Sequence, residues 1–145
     1  MALYLVVAHQ TAASPELLEM LQDISRHHPD AEFVLLVPAT PVTHLLTWTE
    51  GESLEVARNT ASDAAKTLRM AGINLIDTVI GAPDPLVAIQ DEYQSRSYTI
   101  TIISTLPLGV SRWLRRDLPS RTRSKVGAEV LHVVSQDAVR KKAAA

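Results

Sequence analysis

Three arginines stand close together at Arg112, Arg115 and Arg116, and Asp117 follows them directly. Guanidinium groups at that density suit a phosphate or a carboxylate, because each planar fork offers paired N–H donors to paired oxygens. Ser104 and Thr105, upstream of them, add hydroxyls of the kind that line anion sites. The cluster belongs to a wider asymmetry of charge. The chain carries a net charge of only -2, yet residues 1–100 hold 13 acids and 5 bases, whereas residues 101–145 hold 3 acids and 9 bases. An anion or an acidic surface is therefore one expected partner of the C-terminal part, and a solvated helix face is the competing explanation of the same run. Nucleic acid is not the expected anion. Trp113 is the one aromatic in the run, no recognition motif is present, and the chain as a whole is slightly acidic.

Five histidines are the other candidates for ligands and proton carriers. His9 follows an apolar run and could touch a ligand at a strand end or titrate near neutral pH, although a bond to nearby loop backbone is the favoured reading. His27 and His28 stand at a helix end, where a protonated ring meets the negative end of the helix dipole. His44 and His132 lie apart from these, so no pair has metal-ligand spacing on one helix, and no metal is expected. With no cysteine in 145 residues, disulfides and thiolate chemistry are excluded and a reducing cytosol is permitted. No nucleophile with an adjacent base, paired carboxylates or Walker-type loop has the required spacing, so a non-catalytic domain is expected. Ser104 and His9 could meet at neighbouring strand ends, which leaves a weak phosphate or ester hydrolase as an alternative.

These residues must be positioned by elements, and the chain alternates strand and helix. LYLVVA (3–8) is a continuous apolar run, and Ser14-Pro15-Glu16 after it supplies a cap, a first-turn proline and an acid. Leu17, Leu18, Leu21 and Ile24 keep helical spacing up to Pro29. FVLLVP (33–38) is the second strand. A long loop over 38–52 contains the apolar cluster Leu45, Leu46 and Trp48, which suits a lid, a subunit contact or a fold-back over the core. From Ser53 a second helix presents Ala57, Ala61, Ala64, Ala65 and Leu68 until Gly72. The third strand is expected over 73–81, and Asp84-Pro85 repeats the cap-plus-proline device before a third helix. Strands over 97–105 and 129–134 close the series, with Trp113 anchoring a short helix between them.

Continuous rather than alternating apolar strands, separated by helices, indicate a parallel sheet covered on both faces. The expected fold is a single doubly wound, Rossmann-like α/β domain over 1–135, with a five-stranded parallel sheet in the order 3-2-1-4-5 and about four helices on both faces. Residues 136–145 form a short basic tail. Ligands of such folds bind outside the carboxyl ends of the strands where the strand order reverses. That places His9, Val37, Ser104, Thr105 and Gly109 at the expected site. The N-terminal run is too short for a membrane span and has no basic leader, so a cytoplasmic protein without membrane contact is expected.

The whole pattern resembles the universal stress protein family. The resemblance rests on the element order and size, the Gly81-Ala82-Pro83-Asp84-Pro85 turn, and the segment IISTLPLGVSRWLRRDLPSR after the fourth strand. ATP-binding members carry G-x-x-G in that segment, then about nine residues and G-S/T, where glycines let the backbone approach phosphates at a helix N-terminus. They also carry an aspartate at the end of the first strand. Here the glycine positions hold Ser104, Pro107 and Arg116, Asp117 stands at the hydroxyl position, and Ala8-His9-Gln10 replaces the aspartate. Two readings follow. Arg112, Arg115 and Arg116 could rebuild an anion site for a small anionic ligand or an adenine nucleotide. Alternatively, Asp117 caps the next helix with its own carboxylate, fills the phosphate seat, and leaves a ligand-free interaction module. The resemblance further implies a role in stress adaptation or regulation and a homodimer through the edge of the last strand.

Overall fold

The computed structural model describes residues 2–40, 50–107, 113 and 117–135. The elements run β1 (Leu3–Val7), α1 (Pro15–His27), β2 (Glu32–Pro38), α2 (Glu50–Met70) and β3 (Leu75–Gly81). They continue with α3 (Pro85–Ser95), β4 (Ile100–Thr105), α4 (Leu118–Val126) and β5 (Glu129–Val134). All neighbouring strands pair in parallel, in the order β3-β2-β1-β4-β5. This is the expected doubly wound sheet. The long loop expected over 38–52 lies largely outside the described residues, as do Leu45, Leu46, Trp48 and the tail from 136.

Right-handed crossovers put α1 and α2 on one face and, after the chain reverses direction, α3 and α4 on the other. The two layers are visible in β1 itself. Tyr4 and Val6 pack with Leu17 and Leu21 of α1 and the alanines of α2, whereas Leu5 and Val7 pack with Leu86 and Ile89 of α3 and Leu118 of α4. A central strand covered on both faces has no polar alternate positions, which is why it reads as an unbroken apolar run.

The helix starts follow from their caps. The Ser14 hydroxyl accepts the Leu17 N–H at 3.3 Å, and the Asp84 carboxylate accepts the Leu86 N–H at 2.9 Å. Pro15 and Pro85, which have no N–H to leave orphaned, open the two helices. α2 begins at Glu50, ahead of the expected Ser53, and its small side chains Ala57, Ala61, Ala64 and Ala65 are all buried against the sheet. Gly72 then takes a φ of +86°, which ends the helix in a conformation that side chains resist. β3 starts at Leu75, because the Ile73 N–H closes back on the Leu68 carbonyl at 3.0 Å and keeps Ile73 out of the ladder. β4 starts at Ile100, just after the Thr99 N–H donates to the Leu3 carbonyl at 2.8 Å, and ahead of it the Tyr98 hydroxyl donates to the buried Glu92 carboxylate of α3 at 2.6 Å.

Gly81 marks a close approach. A Cβ there would stand 2.6 Å from the Ala88 Cβ and 2.9 Å from the Leu36 Cδ1, so only glycine lets α3 lie this near the end of β3. At the other end of α3, Arg96 pairs with Asp77 of β3, and its guanidinium holds the Asp77 carboxyl below the usual carboxylate range.

Candidate functional site

The strand order reverses between β1 and β4, which run side by side with Val7 opposite Ile103. Ala8, His9 and the turn that leads to α1 therefore stand beside Ser104 and Thr105. Two tight main-chain bonds fold that turn, from the Ala12 N–H to the His9 carbonyl and from the Ser14 N–H to the Thr11 carbonyl, each 3.1 Å.

Side-chain hydroxyls then tie the turn to the sheet. Thr11 Oγ1 lies 2.6 Å from Ser104 Oγ, and Ser14 Oγ lies 2.6 Å from Ser135 Oγ, so β4 and β5 are both joined to the start of α1. Ser14 is thus a helix cap and a cross-link at once. On the other side of the sheet Thr105 Oγ1 lies 2.8 Å from His132 Nε2. Thr11, Ser14, Ser104, Thr105 and Ser135 are all buried. A hydroxyl pair engages one proton of two, so each Thr–Ser or Ser–Ser pair keeps a second proton without a role in that bond. Sequence alone offered Ser104 and Thr105 as ligand donors and gave no sign of Thr11, Ser14 and Ser135 as their neighbours. The contact between Ser14 and Ser135 spans 121 positions, which no local pattern encodes.

His9 is different from all of these. It is only 4% exposed, yet among the described residues neither ring nitrogen has a hydrogen-bond partner. The favoured expectation of a bond to loop backbone is therefore corrected: neither ring nitrogen reaches a hydrogen-bond partner, and the His9 carbonyl is taken by the Ala12 N–H of the turn. Burial lowers the imidazole pKa from its ordinary value, and contact with its own backbone only partly opposes this. A ring below its ordinary pKa of about 6.5 is neutral at pH 7 and presents one donor and one acceptor. A buried polar group left without a partner costs about 1–3 kcal/mol, so a ligand that supplies the missing bonds gains that much relative to water-filled surface elsewhere.

The remaining expected residues divide as follows. Val37 is fully buried, and its side chain belongs to the core shared with α1 and α2. Asp117 occupies the N-cap position of α4 but makes no side-chain capping bond and is exposed. The expected carboxylate cap is thus absent, for a physical reason. Ser14 and Asp84 cap from extended backbone, whereas Asp117 has φ 51° and ψ 51°, a left-handed conformation unlike that of a capping residue. Trp113 is half-buried and packs against the core shared with α3 and α4. Gly109, Arg112, Arg115 and Arg116 lie outside the described residues. His27 ends α1 on the surface, where its Nδ1 lies 2.9 Å from the Asp23 carbonyl, consistent with a helix-end role. Among the described residues no three histidine or acidic side chains gather as a metal site, and no helix is long and apolar enough to cross a membrane.

Known structures share this architecture. A universal stress protein family protein from Arabidopsis thaliana with AMP bound superposes with a TM-score of 0.64 at 11% identity, over 94% of this chain and 93% of that one. A universal stress protein in complex with cAMP gives 0.60 at 14% identity, over 93% and 98%. The universal stress protein from Archaeoglobus fulgidus gives 0.60 at 14% identity, over 92% and 93%. No family model and no curated protein matches the sequence. The chain therefore has the universal stress protein fold.

Proposed function

We propose that this protein is a non-catalytic ligand-binding domain of the universal stress protein fold, with a small anionic ligand, foremost an adenine nucleotide, taken at the carboxyl ends of β1 and β4. The observation that supports this most directly is the buried His9 ring with neither nitrogen partnered. A neutral imidazole offers one donor and one acceptor, which is the pattern of a heterocyclic base edge rather than of a phosphate. Arg112, Arg115 and Arg116 would supply charge for the phosphate in place of the missing glycine backbone. Fold analogy adds that two structural neighbours hold AMP and cAMP.

Calorimetric titration with AMP, cAMP, ATP and inorganic phosphate tests the reading. Saturable heat with a nucleotide, lost in His9→Leu and weakened in the double variant Arg115→Ala/Arg116→Ala, is the expected result. At about 100 times the dissociation constant such a ligand adds about 2.7 kcal/mol and raises the melting midpoint by about 5–10 °C.

A second reading has its own observation. The pairs Thr11–Ser104 and Ser14–Ser135 satisfy the hydroxyls at the strand ends internally, as a module that acts only through its surfaces would require. No heat with any of the four ligands selects it. On either reading the outer edge of β5, which among the described residues pairs only with β4, is the surface where two copies would join. Sedimentation at micromolar concentration distinguishes the dimer from a monomer.

A further inference from the structure

On the opposite edge of the sheet, α2 carries Arg58, Ser62, Lys66 and Arg69 at intervals of four, four and three residues, which places them on one stripe. All four are exposed. The stripe borders β3, and with Ala61, Ala65, Thr78 and Ile80 it encloses a groove of about 360 Å³. Among the described residues β3 pairs only with β2, and no strand lies along its other edge. The Gly81 carbonyl accepts the Ala39 N–H and thus faces β2; by alternation the main-chain groups of Thr78 and Ile80 face the other edge, where the Thr78 N–H donates to Asp77 Oδ1 at 2.8 Å and the Ile80 N–H and the two carbonyls are the groups an added strand would use. Arg69 is held in place by two bonds of 3.2 Å from its Nε and Nη2 to the Leu75 carbonyl. Among the described residues Arg58 and Lys66 form no ion pair, and the acid on the same stripe is Glu55, one turn before Arg58.

We propose that this groove takes an extended acidic segment of another protein, added as a strand along β3, with two carboxylates four residues apart, one meeting Arg58 and the other Lys66 and Arg69. The spacing carries the choice. Arg58 and Lys66 are about 12 Å apart along the helix, and four residues of extended chain advance about 13 Å. Arg58 and Arg69 are about 16 Å apart along the axis, too far to converge on one phosphate. The same stripe of a second copy is a poor occupant, because like cations would face one another. Between the two carboxylates the middle residue would lie over Ala61, Ala65 and Ser62, where a small or β-branched side chain fits. Strand addition at an open edge supplies main-chain bonds, and the cations supply register.

The test is fluorescence anisotropy with the full chain and a labelled peptide of alternating valine and threonine that bears two glutamates four positions apart. The glutamate peptide should bind, and the double variant Arg58→Glu/Lys66→Glu should weaken it at least tenfold. That variant should in turn bind the matching lysine peptide better than the unaltered protein does. Ile80→Pro, which removes an outward N–H from the edge, should weaken the glutamate peptide at least fivefold in a protein whose circular dichroism is unchanged; should it fail to fold, the charge exchange decides alone. No binding up to millimolar peptide, equal binding by the charge-reversed protein, or full competition by equimolar pyrophosphate would overturn the proposal. Because none of these variants touches the ends of β1 and β4, the result is independent of nucleotide binding there.

Discussion

The ends of β1 and β4 are neighbours in the sheet and have opposite polar economies. At the end of β4, Ser104 and Thr105 each have a side-chain partner, Thr11 and His132. At the end of β1, His9 is as deeply buried and has none. Folding tends to leave few buried polar groups unpaired; Ser53 and Thr122 each leave one hydroxyl so, but His9 leaves both of its ring nitrogens so, at the switch point, which separates its role from that of the paired hydroxyls beside it. The hydroxyls hold the turn and the strands together. The imidazole does not contribute to that framework.

Variants can break this comparison, and the largest effect should come from the paired side. Thr11→Val leaves the Ser104 hydroxyl buried without a partner and should cost about 1–3 kcal/mol in denaturant unfolding. Adding Ser104→Ala to it should recover much of that loss, because both polar partners are then gone; a cost equal to the sum of the singles would show that the pair is not coupled. Thr105→Val should cost less, about 0.5–1.5 kcal/mol, since its partner His132 is only partly buried and can turn to water.

His9→Leu should not destabilise the protein at pH 7.5 and should raise its stability by up to about 1–3 kcal/mol, because it removes a buried polar group that has no bond to lose. A clear loss of stability would mean that the ring is structural after all. Its signature should be a change in pH dependence. The folded pKa values of His9 and His132 both lie below the ordinary value, through burial and, for His132, also the charge of Arg123. The unfolded chain therefore binds more protons as pH falls below about 6.5, and stability declines from there toward the folded pKa values. Melting midpoints between pH 7.5 and 5.5 should fall in the unaltered protein, and less steeply in His9→Leu. Equal slopes would assign the dependence to His132 or to other groups.

Much of the fold was legible because its causes are local. Ser14-Pro15 and Asp84-Pro85 bring their own cap acceptors and a residue with no N–H, so the starts of α1 and α3 follow from adjacent residues. The apolar runs of β1 and β2 and the alanine face of α2 likewise carry their burial in their spacing. Where expectations slipped, a distant or conformational cause intervened. Asp117 has the residue type of a cap, but its left-handed backbone prevents it from acting as one. Tyr98 has the β-propensity of a strand residue, but it stands ahead of β4, with its hydroxyl on the Glu92 carboxylate of α3, six positions back along the chain.

By itself the sequence determined the alternation of strands and helices, the covered parallel sheet and the strand ends at which side chains could meet, because hydrophobic period, caps and glycine stops act over a few residues. Only the tertiary structure decided which of the polar side chains there are paired. Thr11 finds Ser104 across 93 positions and Ser14 finds Ser135 across 121, while His9 finds no one, and such meetings depend on crossovers that bring distant segments together in space.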